Sequence, residues 1–136
     1  MAIENFHDEI LRECAEDFCG LWDVVDIVRR SSKEDIPETI RARCLEILRD
    51  LLDRGFINAG IPNRDGQFEP WRTPVLETID RIRTEWKQLG RRPKLGDIVW
   101  FSATLAGHRK LQEGKEPNTL EEEKNTKRGQ TPFSRS

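Results

Sequence analysis

The stretch from Asp35 to Ala59 leaves this chain the least freedom. Asp35-Ile36-Pro37-Glu38 reads as a helix start. Asp35 is placed to accept backbone N–H bonds as the cap, and Glu38 three residues on completes a capping-box pattern. Pro37 falls in the first turn, where its missing N–H is not needed. Ile40, Cys44, Ile47, Leu48, Leu51 and Leu52 then recur at the helical period and form one apolar face. Gly55 suits the left-handed residue that ends a helix, and Phe56-Ile57-Asn58-Ala59 follows as a short strand. The pattern predicts a helix over Ile36–Arg54 and a strand over 56–60.

The flanking segments point to more helices and one further strand. Phe6, Ile10, Cys14 and Phe18 lie at helical spacing, widened by Leu11 and Ala15, and predict a helix over 5–18. Leu21, Trp22, Val24, Val25, Ile27 and Val28 predict another over 21–30, with Arg29 and Arg30 offsetting the dipole at its end. Gly20 between them either breaks the helix or bends a continuous one. Beyond Ala59 the chain turns polar, and Asp65-Gly66 is a turn signal. Thr73-Pro74 opens a helix over 74–89. Its Val75, Ile79, Ile82, Trp86 and Leu89 are spaced alternately four and three apart, a narrow seam suited to packing on another helix. Gly90 closes it and Pro93 forbids continuation. Ile98 to Thr104, β-branched and aromatic, predicts a strand over 97–104 with burial on both faces near Val99 and Trp100. From Gln112 the composition collapses to polar residues, so residues 1–111 read as one domain and 112–136 as a disordered tail.

Composition narrows the function classes. A chain of 136 residues can bury one core, and its 35% hydrophobic and 35% charged residues make it polar without making it disordered throughout. The net charge of −2 supplies no global attraction to nucleic acid or anionic membrane, so any such attraction must come from a local patch. No apolar run is long enough to span a bilayer. Met1-Ala2-Ile3-Glu4-Asn5 has neither the basic flank nor the apolar block of a secretory signal. Cys14, Cys19 and Cys44 are odd in number and each sits in a helical pattern, which fits reduced thiols in a cytoplasmic protein. His7 and His108 are too isolated to build a zinc site with them. Glu9, Glu13, Asp17, Asp23 and Asp26 are helical acids with no paired nucleophile or base, and no Gly-rich phosphate loop is present. The expectation is a protein that is not an enzyme, with no metal, cofactor or small-molecule substrate.

Two short helices followed by a capped helix ending Leu48-Arg49-Asp50-Leu51-Leu52-Asp53-Arg54-Gly55-Phe56-Ile57 resemble the winged-helix superfamily. There the third helix commonly ends in a Leu-rich turn, a Gly and a short apolar strand. Trp100-Phe101-Ser102-Ala103-Thr104-Leu105-Ala106-Gly107-His108 is similar to that family's returning wing strand, a threonine and the Gly-bearing start of a closing helix. The resemblance covers roughly Gly20 to Leu111 and implies a mainly α domain with a small antiparallel β-sheet. Two departures stand out: a whole helix lies between the wing strands, and the link Ser31–Asp35 exceeds a tight helix-turn-helix turn.

Two functions follow from these residues. Phe68, Trp71 and Trp86, together with the inserted seam helix, are candidates for a partner surface, because aromatic residues dominate interface energetics. That reading makes the chain a protein-interaction or regulatory module whose partner is another protein or a second copy in a homodimer. Trp71 is then a contact if exposed and a loop anchor if buried. The alternative is a DNA-binding transcriptional regulator. It would use Arg41 and Arg43 on the third helix and the basic cluster Arg81, Arg83, Lys87, Arg91, Arg92 and Lys94. The third helix interleaves its arginines with Glu38, Glu46, Asp50 and Asp53, so it is electrically balanced, and the protein-binding reading leads.

Overall fold

Gly20 breaks the helix rather than bending it. Its backbone is extended (φ −93°, ψ 167°), its N–H donates to Asp23 Oδ2 at 3.1 Å, and any Cβ there would run into the Trp22 ring. A computed structural model describes the backbone over residues 3–119 and side chains over 6–113. In chain order the elements are α1 (Ile3–Glu16), β1 (Cys19–Gly20), α2 (Leu21–Ser32), α3 (Pro37–Asp53), β2 (Ile57–Pro62), β3 (Phe68–Pro70), α4 (Val75–Leu89), β4 (Trp100–Ala103) and α5 (Leu105–Thr119). The protein is therefore mainly helical with a small antiparallel sheet, as its sequence pattern predicts. Among the described residues no helix is long and apolar enough to cross a membrane.

The first helix ends two residues before the predicted 18. Asp17 Oδ1 accepts the Phe18 N–H at 2.7 Å, and Cys19-Gly20 leave the helix to pair with β4. The start of α3 differs from expectation in its cap. Asp35 does not cap the helix; Ile36 occupies that position with extended backbone (φ −77°, ψ 117°) and Pro37 is the first helical residue. The residue before a proline is driven out of the helical region, so the cap must be Ile36 and Asp35 falls one position too early. Asp35 instead meets Arg29 at 3.5 Å, while Glu34 Oε2 accepts the N–H groups of Asp35 and Ile36 at 3.1 and 3.0 Å. Those two bonds hold the Glu34 carboxyl below its ordinary value.

The exit from α3 follows the pattern expected of Gly55, which adopts φ 75°. Phe56 N–H reaches Leu51 O and Gly55 N–H reaches Leu52 O, both at 3.0 Å, the paired bonds that satisfy a helix's last carbonyls. The chain then enters β2, which runs on to Pro62. Asn63 Oδ1 accepts the N–H groups of Asp65 and Gln67, Gly66 takes φ 82°, and the turn folds β3 back as a hairpin. Phe68-Glu69-Pro70 lies in a stretch for which the sequence predicts no strand, and pairing with β2 holds it extended. Gly60 permits this pairing, since a Cβ there would strike the Glu69 carbonyl oxygen and lie 2.7 Å from Pro70 Cα.

The sheet order is β1-β4-β2-β3, antiparallel throughout, with Cys19 opposite Phe101, Ala59 opposite Phe101 and Ile61 opposite Glu69. The predicted strand over 97–104 is shorter, because Gly96 and Ile98 take left-handed φ values (87° and 69°) and turn the chain before Trp100. Burial there alternates instead of being continuous. Val99 and Phe101 are buried, whereas Trp100 is half-buried with its ring 4.7 Å from Trp22 in an edge-to-face pair. The pleat places neighbouring side chains on opposite faces.

One core joins α1, α2, α3, α4 and the sheet through Ile10, Val24, Leu48, Leu51, Ile82 and Phe101 among others. Thr104 ties the last helix to it. Its Oγ1 accepts the Gly107 N–H at 3.0 Å and donates to Gly55 O at 2.6 Å, joining the start of α5 to the end of α3. The helix continues past Leu111, where the domain was expected to end, to Thr119. The remainder of the predicted tail, 120–136, lies outside the described residues.

Candidate functional site

The seam predicted on 74–89 is the buried side of α4. Thr78, Ile79, Ile82 and Trp86 are buried on it, Val75 and Leu89 are half-buried, and the helix packs against α3. Gly90, at φ 71°, ends it. The chain then passes Arg91 and Arg92 close to the start of α3.

Three helix ends converge here: the last turn of α2, the first turns of α3 and the last turn of α4. They enclose an open cleft of about 490 Å³. Its apolar lining is Val25, Pro37, Ile40 and Trp86, and its charged lining is Arg29, Arg41, Lys87, Arg91 and Arg92 against Asp35 and Glu38. Five cations against two carboxylates give this region a positive potential on a chain whose net charge is −2.

Two of the five are engaged locally. Arg29 lies 3.5 Å from Asp35, whose side chain is 90% exposed. Arg91 Nη1 donates to Asp97 Oδ2 at 2.8 Å and to Arg92 O at 3.0 Å, and the Lys94 N–H adds a 2.7 Å bond to the same carboxylate. The Arg91 bond, followed by the Lys94 amide, holds the Asp97 carboxyl below its ordinary range and fixes the loop after α4. Among the described residues Arg41, Lys87 and Arg92 have no ion-pair partner. These three are the cations open to an incoming anion.

The structure thus divides the predicted basic residues. Arg41, Lys87, Arg91 and Arg92 share the cleft. Arg81 pairs with Glu85 at 3.0 Å and Arg83 with Asp80 at 3.0 Å, both along α4 and outside the cleft lining. Arg43 is exposed on α3, where its charge helps lower the Glu34 carboxyl. Lys94 contributes its backbone N–H to the loop.

The predicted aromatic surface is divided as well, and each ring has a partner inside the domain. Phe68 meets Phe18 with ring centroids 5.2 Å apart. Trp71 is half-buried, between the exposed and buried alternatives, with its backbone N–H on Ala59 O at 2.9 Å and the Arg81 guanidinium 3.7 Å above its ring. Trp86 is 6% exposed and forms part of the cleft floor. Sequence reasoning placed Val25 and Ile40 in the core and Arg29 at a helix end. No local signal links these residues to Arg41 or Arg92, which only the convergence of three helices brings together.

Elsewhere the polar groups serve the fold. Asp50 receives Arg54 at 3.2 Å and His7 Nε2 at 2.8 Å, joining α1 to α3, and Arg49 lies 3.6 Å from Asp53. The three thiols are buried. Burial pushes Cys44 up to about 12, and Cys19 is raised further by hydrogen bonding with Cys14 and by burial. Among the described residues no group of three or more His, Cys, Asp or Glu side chains is placed to hold a metal ion. No family model matches the chain, and neither a curated protein nor a solved structure is significantly similar to it.

Proposed function

We propose that the protein is a non-enzymatic, cytoplasmic regulatory module of winged-helix-like topology that acts by binding another protein. Support for the topology comes from β2 and β4, which pair antiparallel as two wing strands would, with β3 and α4 filling the place of the usual turn. Thr104 opens a closing helix at the position the resemblance implies.

The observation that carries the functional reading is the docking of α4 on α3. A major groove about 12 Å wide accommodates one helix of about 10–12 Å diameter. A second helix packed alongside at about 8–10 Å, in addition to α2, narrows the face of α3 left free to enter a groove. The C-terminal half of α3 exposes paired or acidic groups, Glu46, Arg49 with Asp53 and Asp50 with Arg54, and the helix's cations without an ion pair among the described residues, Arg41 and Arg43, lie nearer its start. Such a face suits a solvated surface better than a phosphate backbone. The raised pKa values of Cys19 and Cys44 also disfavour thiolate chemistry.

A DNA-binding regulator is the second reading, favoured by the convergence of Arg41, Lys87, Arg91 and Arg92. Fluorescence anisotropy with labelled random-sequence duplex DNA at low salt separates the two. The protein-binding reading expects no salt-dependent complex. A complex that weakens steeply with salt, and again on Arg41→Ala or Arg92→Ala, would establish the DNA reading instead.

A further inference from the structure

We infer that the cleft between α2, α3 and α4 is the partner site, and that it takes an acidic peptide segment carrying one large apolar side chain. This rests on the protein-binding reading and adds the place and the chemistry. The cleft combines two features that are separate on an ordinary surface. Its floor, Val25, Ile40 and Trp86, is apolar, and its rim holds three cations, Arg41, Lys87 and Arg92, with no internal ion pair among the described residues. An apolar floor has nothing to offer a free inorganic anion, and a concave space of about 490 Å³ does not admit a duplex. A side chain inserted from a peptide fits both its size and its lining.

Two further observations bear on the occupant. Ile36 lies between the lining residues Asp35 and Pro37 and is 56% exposed, a large apolar group left in water at the cleft's edge. A segment crossing the mouth would cover it. Hydrogen bonds within the domain also tie the walls before binding: Asp97 accepts from the Arg91 side chain and the Lys94 N–H, and Glu34 accepts from the N–H groups of Asp35 and Ile36. Pre-ordered walls reduce the entropy lost on association. Asp35 and Glu38 sit on the same rim and oppose a continuous run of phosphates, whereas a peptide offers N–H groups to them as well as carboxylates to the arginines.

The test is selection of a displayed library of short random peptides on the full-length chain, followed by anisotropy with the synthesised winners. The expected winners carry two or more Asp or Glu residues beside a Leu, Phe or Trp. Their affinity should fall roughly tenfold or more in Arg41→Glu and in Arg92→Glu, because like charges facing each other across an interface cost far more than a lost rim contact. Lys110→Glu, outside the cleft lining, serves as the control and should bind as the parent does; circular dichroism verifies that each variant is folded. Winners without acidic residues, or winners indifferent to both reversals, overturn this assignment and leave the protein-binding reading standing. Absence of any winner also overturns it. Duplex DNA binding lost in the same two variants would overturn both.

Discussion

Changing Ile82 to Ala probes the contact on which the cleft and the functional reading both depend. Ile82 is fully buried (0% exposed) in the middle of α4, between Ile79 and Trp86 on the side that meets α3. The loss has two parts, the transfer free energy of the removed methyl and methylene groups and the cavity left where the helices cannot collapse. For a fully enclosed Ile these amount to about 3 kcal/mol, within a range of ~2–5. Leu76, in the first turn of the same helix, is 63% exposed. Leu76→Ala should stay within about 0.5 kcal/mol of the parent, as surface substitutions do. Urea unfolding followed by circular dichroism measures both, and leaves the four tryptophans untouched as reporters of the same transition. A domain of this size has about 5–15 kcal/mol of stability, so the Ile82 variant should remain folded with a clearly lowered midpoint. A loss below about 1 kcal/mol would refute the reasoning. It would mean that α4 is not held against α3, that the cleft has no third wall, and that the flank of α3 is open after all.

Four other outcomes follow from named groups. Gly60→Ala should cost about 3 kcal/mol or more, because the new methyl meets the backbone of Glu69 and Pro70, which cannot move without opening the β2–β3 hairpin; urea midpoints check it. Thr104→Ala should cost about 1–2 kcal/mol through loss of the α5 cap and of the bond to Gly55, and Thr104→Ser should restore most of it. Glu34 and Asp97 have folded pKa values below their ordinary 4.5 and 3.8, so each contributes stability that is complete above those values and lost as pH falls through the lower folded ones. The amide signals of Ile36 and Lys94 should therefore stay constant from neutral pH to about 4.5 and shift only below it, and movement near pH 6 would contradict this. Ellman's reagent at pH 8 should titrate none of Cys14, Cys19 and Cys44 in the folded protein and all three in urea, since all three are buried and the raised pKa values of Cys19 and Cys44 also keep those two protonated.

What could be read from the sequence follows from the range of the forces involved. The face of α3, the Gly55 exit, the Asp65-Gly66 turn and the seam of α4 are set by residues within a turn or two of one another, and periodicity reports them. Asp35 matches a cap by local pattern, but the pre-proline restriction places the cap at Ile36 and overrides that preference. Strands β1 and β3 escaped notice for a different reason. Cys19-Gly20 and Phe68-Glu69-Pro70 are too short to alternate visibly, and each is held extended by the strand it pairs with, β4 or β2. Of the aromatic residues read as a partner surface, Trp86 is buried in the core while Phe68 and Trp71 stay half-exposed, each against a neighbour of its own domain, Phe18 and Arg81, which no local pattern reports.

The sequence by itself determined that the chain makes a mainly helical domain, where its central helices run, and that α4 presents a seam to another helix. Apolar period, proline and glycine act locally, so these features need no knowledge of what lies across the core. Only the tertiary structure decided which helix receives that seam and what gathers at the junction. Arg29, Arg41, Lys87 and Arg92 come from three helices and a loop, and nothing in their neighbours' chemistry ties them together. The convergence of helix ends is a long-range outcome of packing, and the positive cleft it encloses exists only once α4 rests on α3.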